Sequence, residues 1–402
     1  MSCVVMFNFL KESCEKALSN TYTLQGYVVA GTSIFYDLWT RDFCYASQGI
    51  LSHNPKIARN CFKLLLKNQA ITGEFPNLLT QAPNNKLGLL LSFKLWDVRK
   101  KDLFKLQPWY QHYNGNTVLD ATLLFIIYYS KFLGKSVRNY SKILKAGKWV
   151  QSQDLNGNGL LDEKSFAGWE DSINKTQGKL GNSSYHNILA IIAYNSIINL
   201  AKIKGDVKTF NEYSKLSEEL RKRVFEVFWH DNGYFKDFVG KGDDVLNASA
   251  NLLAIRFGIV NKNDAKKILV NVENFRMNVP FGLKVRNKKL PFYRINFLNN
   301  LLGTSDYHNT AVWSWLGALY VMCLIKVGWK NKARDELLKI QSVIEKHGLI
   351  EVYDAEGNPL KGYFSFHSSE KDFAWSAGML LETINSLKKI KKLKKIFIRK
   401  SR

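Results

Sequence analysis

SYHNILAIIAYNSIINLAKIKGDVKTFNEYSKLSEELRKRVFEVFW, residues 184–229, carries two helical patterns in one continuous stretch. Apolar residues recur at helical spacing over 184–204 and again over 206–229, with only Gly205 between the two segments. A connection that short turns the second helix back antiparallel on the first, as a hairpin. The same pairing recurs at 116–133 with 136–153 and at 309–327 with 329–347. Further helices are predicted over 4–18, 40–52, 56–69, 244–257, 263–274 and 371–396, with one more near 86–97. A dozen helices of this kind fit six hairpins closed into a toroid, an all-α (α/α)6 barrel. Its inner helices would line a central cavity, with loops at one end forming the mouth. A solenoid of helical repeats is the alternative, but its repeats would be more even in length.

Long polar loops lie between the pairs, at 70–85, 154–183, 231–243, 275–308 and 348–370. Loops of this length in a compact domain are usually functional. No Pro/Gly/Ser-rich linker and no strong repeat divides the chain, so 1–402 reads as one catalytic domain. Residues 388–402 read as a basic extension of the last helix.

Composition narrows the function. The chain of 402 residues is 46% hydrophobic and 13% aromatic, more aromatic than a scaffold needs. Rings near polar motifs are therefore potential stacking platforms for a sugar. The five cysteines, Cys3, Cys14, Cys44, Cys61 and Cys323, are odd in number and lack metal-ligand spacing. They read as reduced thiols of a cytoplasmic protein. Residues Met1–Leu18 form an amphipathic pattern rather than a leader, and no apolar run is long enough to cross a bilayer. The formal charge of +24 is concentrated in part in 388–402. No nucleic-acid recognition module accompanies it, which favours a solvated basic surface over a polyanion or membrane contact. No pattern specifies an oligomeric state.

Four motif clusters carry potential chemistry. In the first, Trp39-Thr40-Arg41-Asp42 enters a helix; Asp42 can meet free N–H groups there, or Arg41 and Asp42 can hold sugar hydroxyls beside Trp39. In the second, Asp154, Asn156, Asn158 and Asp162 follow the first half of a calcium loop. The twelfth position is Ser165 in place of a bidentate carboxylate, so a Gly/Asn turn is the better reading. It leads into Gly168-Trp169-Glu170-Asp171-Ser172, two adjacent acids beside a Trp, and then to His186, whose default role is a hydrogen-bonded helix start. In the third, Asp306-Tyr307-His308-Asn309-Thr310 passes into a helix bearing Trp313 and Trp315. In the fourth, Glu351 is flanked by Ile350 and Val352, where burial would raise a carboxyl pKa, and precedes a turn at Asp354–Asn358. No Ser or Cys nucleophile has an elbow context.

Taken in order, these motifs resemble the helical-toroid glycoside hydrolases, above all the amylo-α-1,6-glucosidase domain of glycogen-debranching enzymes. Processing α-glucosidases, glucosylglycerate and mannosylglycerate hydrolases and alkaline/neutral invertases share much of the pattern. The resemblance rests on Tyr27–Gly31 with Trp39–Asp42, Gly73–Asn77, Thr117–Thr122, Gly168–Ser172, Tyr307–Trp313, and Glu351–Asp354 with Ala374–Ser376. Thr310 departs from the family's Gly. The resemblance implies inverting hydrolysis in which Asp171 is the general acid and Glu351 the general base, with no metal or organic cofactor. It also implies a sugar site of Arg41, Asp42 and Asp120. Glu170 is the understudy acid, His308 and Asn309 line the site, and Trp39, Trp109, Trp169 and Trp313 are wall candidates. Many relatives carry a β-sandwich before the toroid; here the first motif begins at Tyr27, so the implied fold lacks one. The implied substrate is an α-linked oligosaccharide or a small glucoside, with sucrose, trehalose and glucosylglycerate-type compounds as alternatives. A noncatalytic carbohydrate-binding protein is a further alternative.

Overall fold

The computed structural model describes residues 6–400 apart from 34, 82–104, 113–114, 166, 177–179, 241–243 and 364–368, with side chains to residue 387. The helix expected near 86–97, Cys3 and the basic side chains of 388–402 lie outside the described residues.

Twelve helices of ten residues or more are present among the described residues. They are α1 (Asn8–Asn20), α2 (Thr40–His53), α3 (Pro55–Lys67), α4 (Leu119–Leu133), α5 (Tyr140–Gln151) and α6 (Ser184–Lys204). The second half comprises α7 (Val207–Phe228), α8 (Ala248–Phe257), α9 (Lys262–Asn274), α10 (Ser314–Val327), α11 (Lys330–His347) and α12 (Ala374–Lys400). The even-numbered helices form a closed inner ring: α2 packs on α4, α4 on α6, α6 on α8, α8 on α10, α10 on α12, and α12 returns to α2. The odd-numbered helices lie outside them. N-terminal α1 covers C-terminal α12, so the two ends of the chain complete the sixth pair. The architecture is the expected (α/α)6 toroid, and no β-sandwich occurs among the described residues.

Residue type decides which helix goes where. In α6, fourteen of 21 residues are buried, and in α4 eleven of fifteen; such all-round apolar helices must be covered on every side. The outer α7 buries only a stripe, Thr209, Tyr213, Ser217, Leu220, Val224 and Phe228, and presents Lys, Arg and Glu to water. Boundaries follow capping chemistry. Asp206 accepts from the Thr209 N–H at the start of α7, and Asn247 accepts from Ser249 and Ala250 at the start of α8. The Asn247 cap explains why α8 begins later than the periodicity over 244–257 suggests.

Ring closure depends on two glycines. A Cβ on Gly49 of α2 would strike the backbone of Gly378 in α12, and one on Gly378 would strike Ala46. Gly378→Val is expected to lower stability by about 1–3 kcal/mol, the usual cost of overpacking. Urea unfolding checks this; an unchanged midpoint would mean that the ring closes with slack.

The inner helices share one polarity. Arg41 at the start of α2 bonds Asp120 at the start of α4 at 2.9 Å, and Trp315 of α10 stacks on Trp375 of α12 at 4.3 Å. Their N-termini therefore gather at one mouth, where free N–H groups favour negative charge. Short antiparallel pairings knit the loops there. β1 (Leu38–Trp39), β2 (Leu78–Thr80) and β3 (Gln107–Trp109) form one sheet, with Trp39 opposite Leu78 and Leu78 opposite Trp109. β4 (Trp229–His230) pairs with β5 (Tyr234–Phe235), whose Phe235 backbone bonds the Asn251 side chain at the start of α8. At the mouth, β6 (Val312–Trp313) pairs with β7 (Val352–Tyr353), which ties the His308 loop to the Glu351 loop.

Candidate active site

The acid-bearing loop is fixed from below. Gly168 is close enough to the His186 ring that a Cβ would collide with it, and His186 is itself held by Ser183 and Glu163. Trp169 sits edge-on to Trp313, Trp315 and Trp375, and its indole N–H donates to Ser249 Oγ at 3.2 Å. With the backbone so held, the two acids diverge. Glu170 turns inward to Arg286, to Lys175 Nζ at 3.1 Å and to Asn247 Nδ2 at 2.5 Å. Asp171 turns the other way, and 31% of its side chain is exposed. Its Oδ2 lies 3.4 Å from His112 Nε2 and its Oδ1 lies 3.6 Å from His308 Nδ1.

Burial alone would raise the Asp171 pKa. The His112 hydrogen bond and nearby cationic groups, Arg41 among them, outweigh it and hold the carboxyl below its ordinary value. His308 contributes position rather than charge: burial, with Arg41, Arg286 and Lys175, brings its pKa down to about 3. The neutral ring stacks on Trp313, with centroids 5.1 Å apart. Its Nδ1 faces Ser172 Oγ at 2.9 Å and the Ser172 N–H at 3.4 Å, so the hydrogen-bond pattern assigns the proton to Nε2.

Glu351 lies just before β7 and is 3% exposed. Tyr307 donates its hydroxyl to Oε1, and the Glu370 N–H donates to Oε2 at 3.3 Å. Burial pushes the Glu351 pKa up to about 8; the Tyr307 bond opposes that rise, and the charges of Glu370 and Asp42 add to it. Glu370 in turn accepts from the Thr32 N–H at 2.6 Å, the Ser33 N–H at 2.5 Å and Ser33 Oγ at 2.7 Å. These bonds pin the opening loop beside Glu351. Gly31 is required there, because a Cβ would land on the Glu370 side chain.

Arg41, Asp42 and Asp120 form the third wall. Arg41 bonds Asp120 and lies 3.8 Å from Asp42 Oδ2. Burial raises Asp42 to about 7, opposed by Arg41 and its own N–H and reinforced by Asp120 and Asp171. Tyr307 bonds Glu351, and the charges of Asp171 and Asp42 also reach its hydroxyl, so the acid loop, the base loop and the start of α2 converge. Donors and acceptors on three sides, with one partly open carboxyl and one sealed carboxyl, suit a polyhydroxylated ligand.

The family model for amylo-alpha-1,6-glucosidase matches residues 181–382, half of the chain. The chain belongs to the amylo-alpha-1,6-glucosidase family. It is a glycoside hydrolase. Glu351 falls within the matched stretch of this amylo-alpha-1,6-glucosidase family member, and Asp171 lies ten residues before it. No curated protein matches the sequence significantly. Among solved structures, the fold is similar to mannosylglycerate hydrolase from Thermus thermophilus in complex with glucose, at 12% identity and a TM-score of 0.65 over 92% of this chain and 99% of that one. An uncharacterized conserved protein from the same organism gives 13% identity and 0.64, over 92% and 98%. Rhamnosidase from Klebsiella oxytoca with rhamnose bound gives 14% and 0.60, over 92% and 63%.

Several residues of the amylo-alpha-1,6-glucosidase family member stand differently from expectation. Trp169 and Trp313 are buried in the aromatic cluster under His308, so they brace the pocket and offer a sugar almost no surface. Trp39 and Trp109 are half-buried and keep a face to offer. Asn309 is fully buried and clasps the backbone of Leu290, with N–H to Oδ1 at 2.9 Å and Nδ2 to carbonyl at 3.2 Å. Glu170 is consumed by its cations. In the half calcium loop, Asp162 accepts from the Leu155 and Asn156 N–H groups, and Asp154 from those of Asn158 and Gly159. Asn156 and Asn158 cap the N–H groups of Asn158 and Leu160, which is turn chemistry. Glu356 lies in the Asp354 turn, as expected. His112, Tyr307, Glu370 and Arg286 had no assigned role in the sequence reading. The one signal that could mark His112 in the sequence is the scarcity of histidine, seven in all.

Proposed function

We propose that the protein is an inverting, exo-acting α-glucosidase acting on α-linked oligosaccharides or glycogen-like branches, α-1,6 linkages included, as one catalytic domain. The observation that carries this reading is the pairing of Asp171, partly open and flanked by two histidines, with Glu351, sealed beneath Tyr307. Asp171 protonates the glycosidic oxygen; Glu351 takes a proton from the water that attacks C1 on the opposite face. Arg41, Asp42 and Asp120 hold hydroxyls of the terminal sugar, and Trp39 covers its apolar face. Four buried, unpaired thiols, Cys14, Cys44, Cys61 and Cys323, support a cytoplasmic setting. No helix among the described residues is long and apolar enough to cross a membrane.

A second reading, hydrolysis of a small glucoside such as a glucosylglycerate, sucrose or trehalose, draws support from the similarity in fold to mannosylglycerate hydrolase. A panel of isomaltose, panose, maltose, sucrose, trehalose, glucosylglycerate and branched limit dextrin separates the two. Proton NMR of the first product formed is expected to show β-glucose from an α-glucoside. Initial release of α-glucose would rule out inversion.

A further inference from the structure

Among the described residues, every aromatic ring more than half exposed lies on the two loops that carry Asp171's neighbours and Glu351: Phe292 at 76%, Tyr293 at 57%, Phe297 at 78% and Tyr363 at 63%. Chance exposure would scatter such rings over the molecule. The backbone beneath them is braced. The Asn296 side chain caps Leu298 at 3.0 Å, and Asn300 Nδ2 donates to the Phe292 carbonyl at 3.0 Å. The segment is also tied to both catalytic loops. Ile295 bridges Ile173, the Asn296 N–H donates to Ser172 O at 2.8 Å, and the Tyr363 N–H donates to Leu302 O at 2.8 Å. Gly303 has no side chain, and the Tyr363 ring fills that space.

We infer that these four rings form an aglycone-side platform for the second and later pyranose rings of an α-linked glucan chain. The inference rests on the α-glucosidase reading above, because it takes Asp171 as the group at the scissile oxygen. Chain beyond that oxygen belongs to the leaving group, and the residues directly after Asp171 are hydrogen-bonded to the platform. Pyranose rings present apolar C–H faces that stack on aromatic rings while their hydroxyl edges stay in water, so such a platform can remain exposed when empty. A second copy of the chain is a poorer occupant: each copy brings a formal charge of +24.

The test compares wild type with the Phe292→Ala/Phe297→Ala/Tyr363→Ala variant on α-glucosyl fluoride and on α-linked gluco-oligosaccharides of increasing length. Wild-type kcat/KM is expected to rise with chain length. The variant should lose about tenfold per stacked ring on long chains, chiefly in KM, and nothing on the fluoride. A flat length profile in wild type, an undiminished profile in the variant, or an equal loss on the fluoride overturns the platform. So does dissociation of a wild-type dimer by the substitutions with the length profile intact, which would make this face an interface between copies. Should wild type cleave neither the fluoride nor any chain, the α-glucosidase reading fails by itself. Calorimetric binding of the same oligosaccharides then decides the platform, and affinity independent of length overturns it.

Discussion

Asp171→Asn is expected to lower kcat on an unactivated oligosaccharide by about 10²–10⁴-fold, the range that a positioned general acid supplies. The same variant should keep most of its activity on α-glucosyl fluoride, whose leaving group departs with little help from a proton. Glu351→Gln should lose activity on both substrates, because the attacking water needs its base whatever the leaving group. The contrast distinguishes the two roles and separates Asp171 from Glu170. Rescue of Glu351→Gln, and not Asp171→Asn, by the fluoride would reverse the assignment.

The pH dependence carries a second signature of the same pair. Burial holds Glu351 protonated up to about 8, while the His112 bond and nearby cations keep Asp171 ionised below the usual carboxylate range. In the empty pocket the single proton therefore sits on the base rather than the acid. The productive arrangement has the same proton count, so both belong to one macroscopic state of the pair. kcat/KM should be bell-shaped, failing on the acid side as Asp171 becomes protonated too, and on the alkaline side near 8 as Glu351 releases its proton. Bound sugar favours moving the proton. It displaces water from the open part of Asp171, and the attacking water donates a hydrogen bond to Glu351. An alkaline limb in the ordinary carboxylate range would contradict this account.

The ring itself was legible because its signal is local. Helical period and short connections, as at Gly205, fix each hairpin, and six hairpins leave few ways to close. The carboxylates were legible through short motifs that place an acid beside a Trp or between β-branched residues. What escaped was everything made by long-range pairing. Arg286 meets Glu170 across 116 residues and Asp237 across 49, and nothing around it in sequence marks a buried cation. The sequence offers Trp169 and Trp313 as walls because an aromatic in a polar motif looks the same whether it lines a cavity or supports one. Only their mutual packing decides between the two.

Arg286→Met is expected to be the most destabilising single substitution considered, by about 3–5 kcal/mol, the cost of breaking a buried ion pair by removing one partner. Arg286 is fully buried and reaches three acceptors: Asp237 Oδ2 at 2.8 Å, Glu170 Oε2 and the His308 carbonyl. Lys175 bridges the same two acids, 3.1 Å from Glu170 and 3.0 Å from Asp237, so two cations balance two carboxylates out of water. Deleting one cation leaves a net negative charge in a site that cannot hydrate it. Burial would raise the Asp237 pKa, but Arg286 and Lys175 hold it below its ordinary value. Its stabilising contribution is therefore present above the unfolded carboxylate pKa and is lost as pH falls through the lower folded value. In Arg286→Met that depression shrinks, and the acid end of the stability profile should flatten. Adding Asp237→Asn to Arg286→Met removes the surplus charge and should restore part of the loss, giving a nonzero coupling in a double-mutant cycle of urea unfolding. Additive effects would mean that Arg286 supports the fold through packing alone. They would also remove the electrostatic link between the acid loop and the His308 loop.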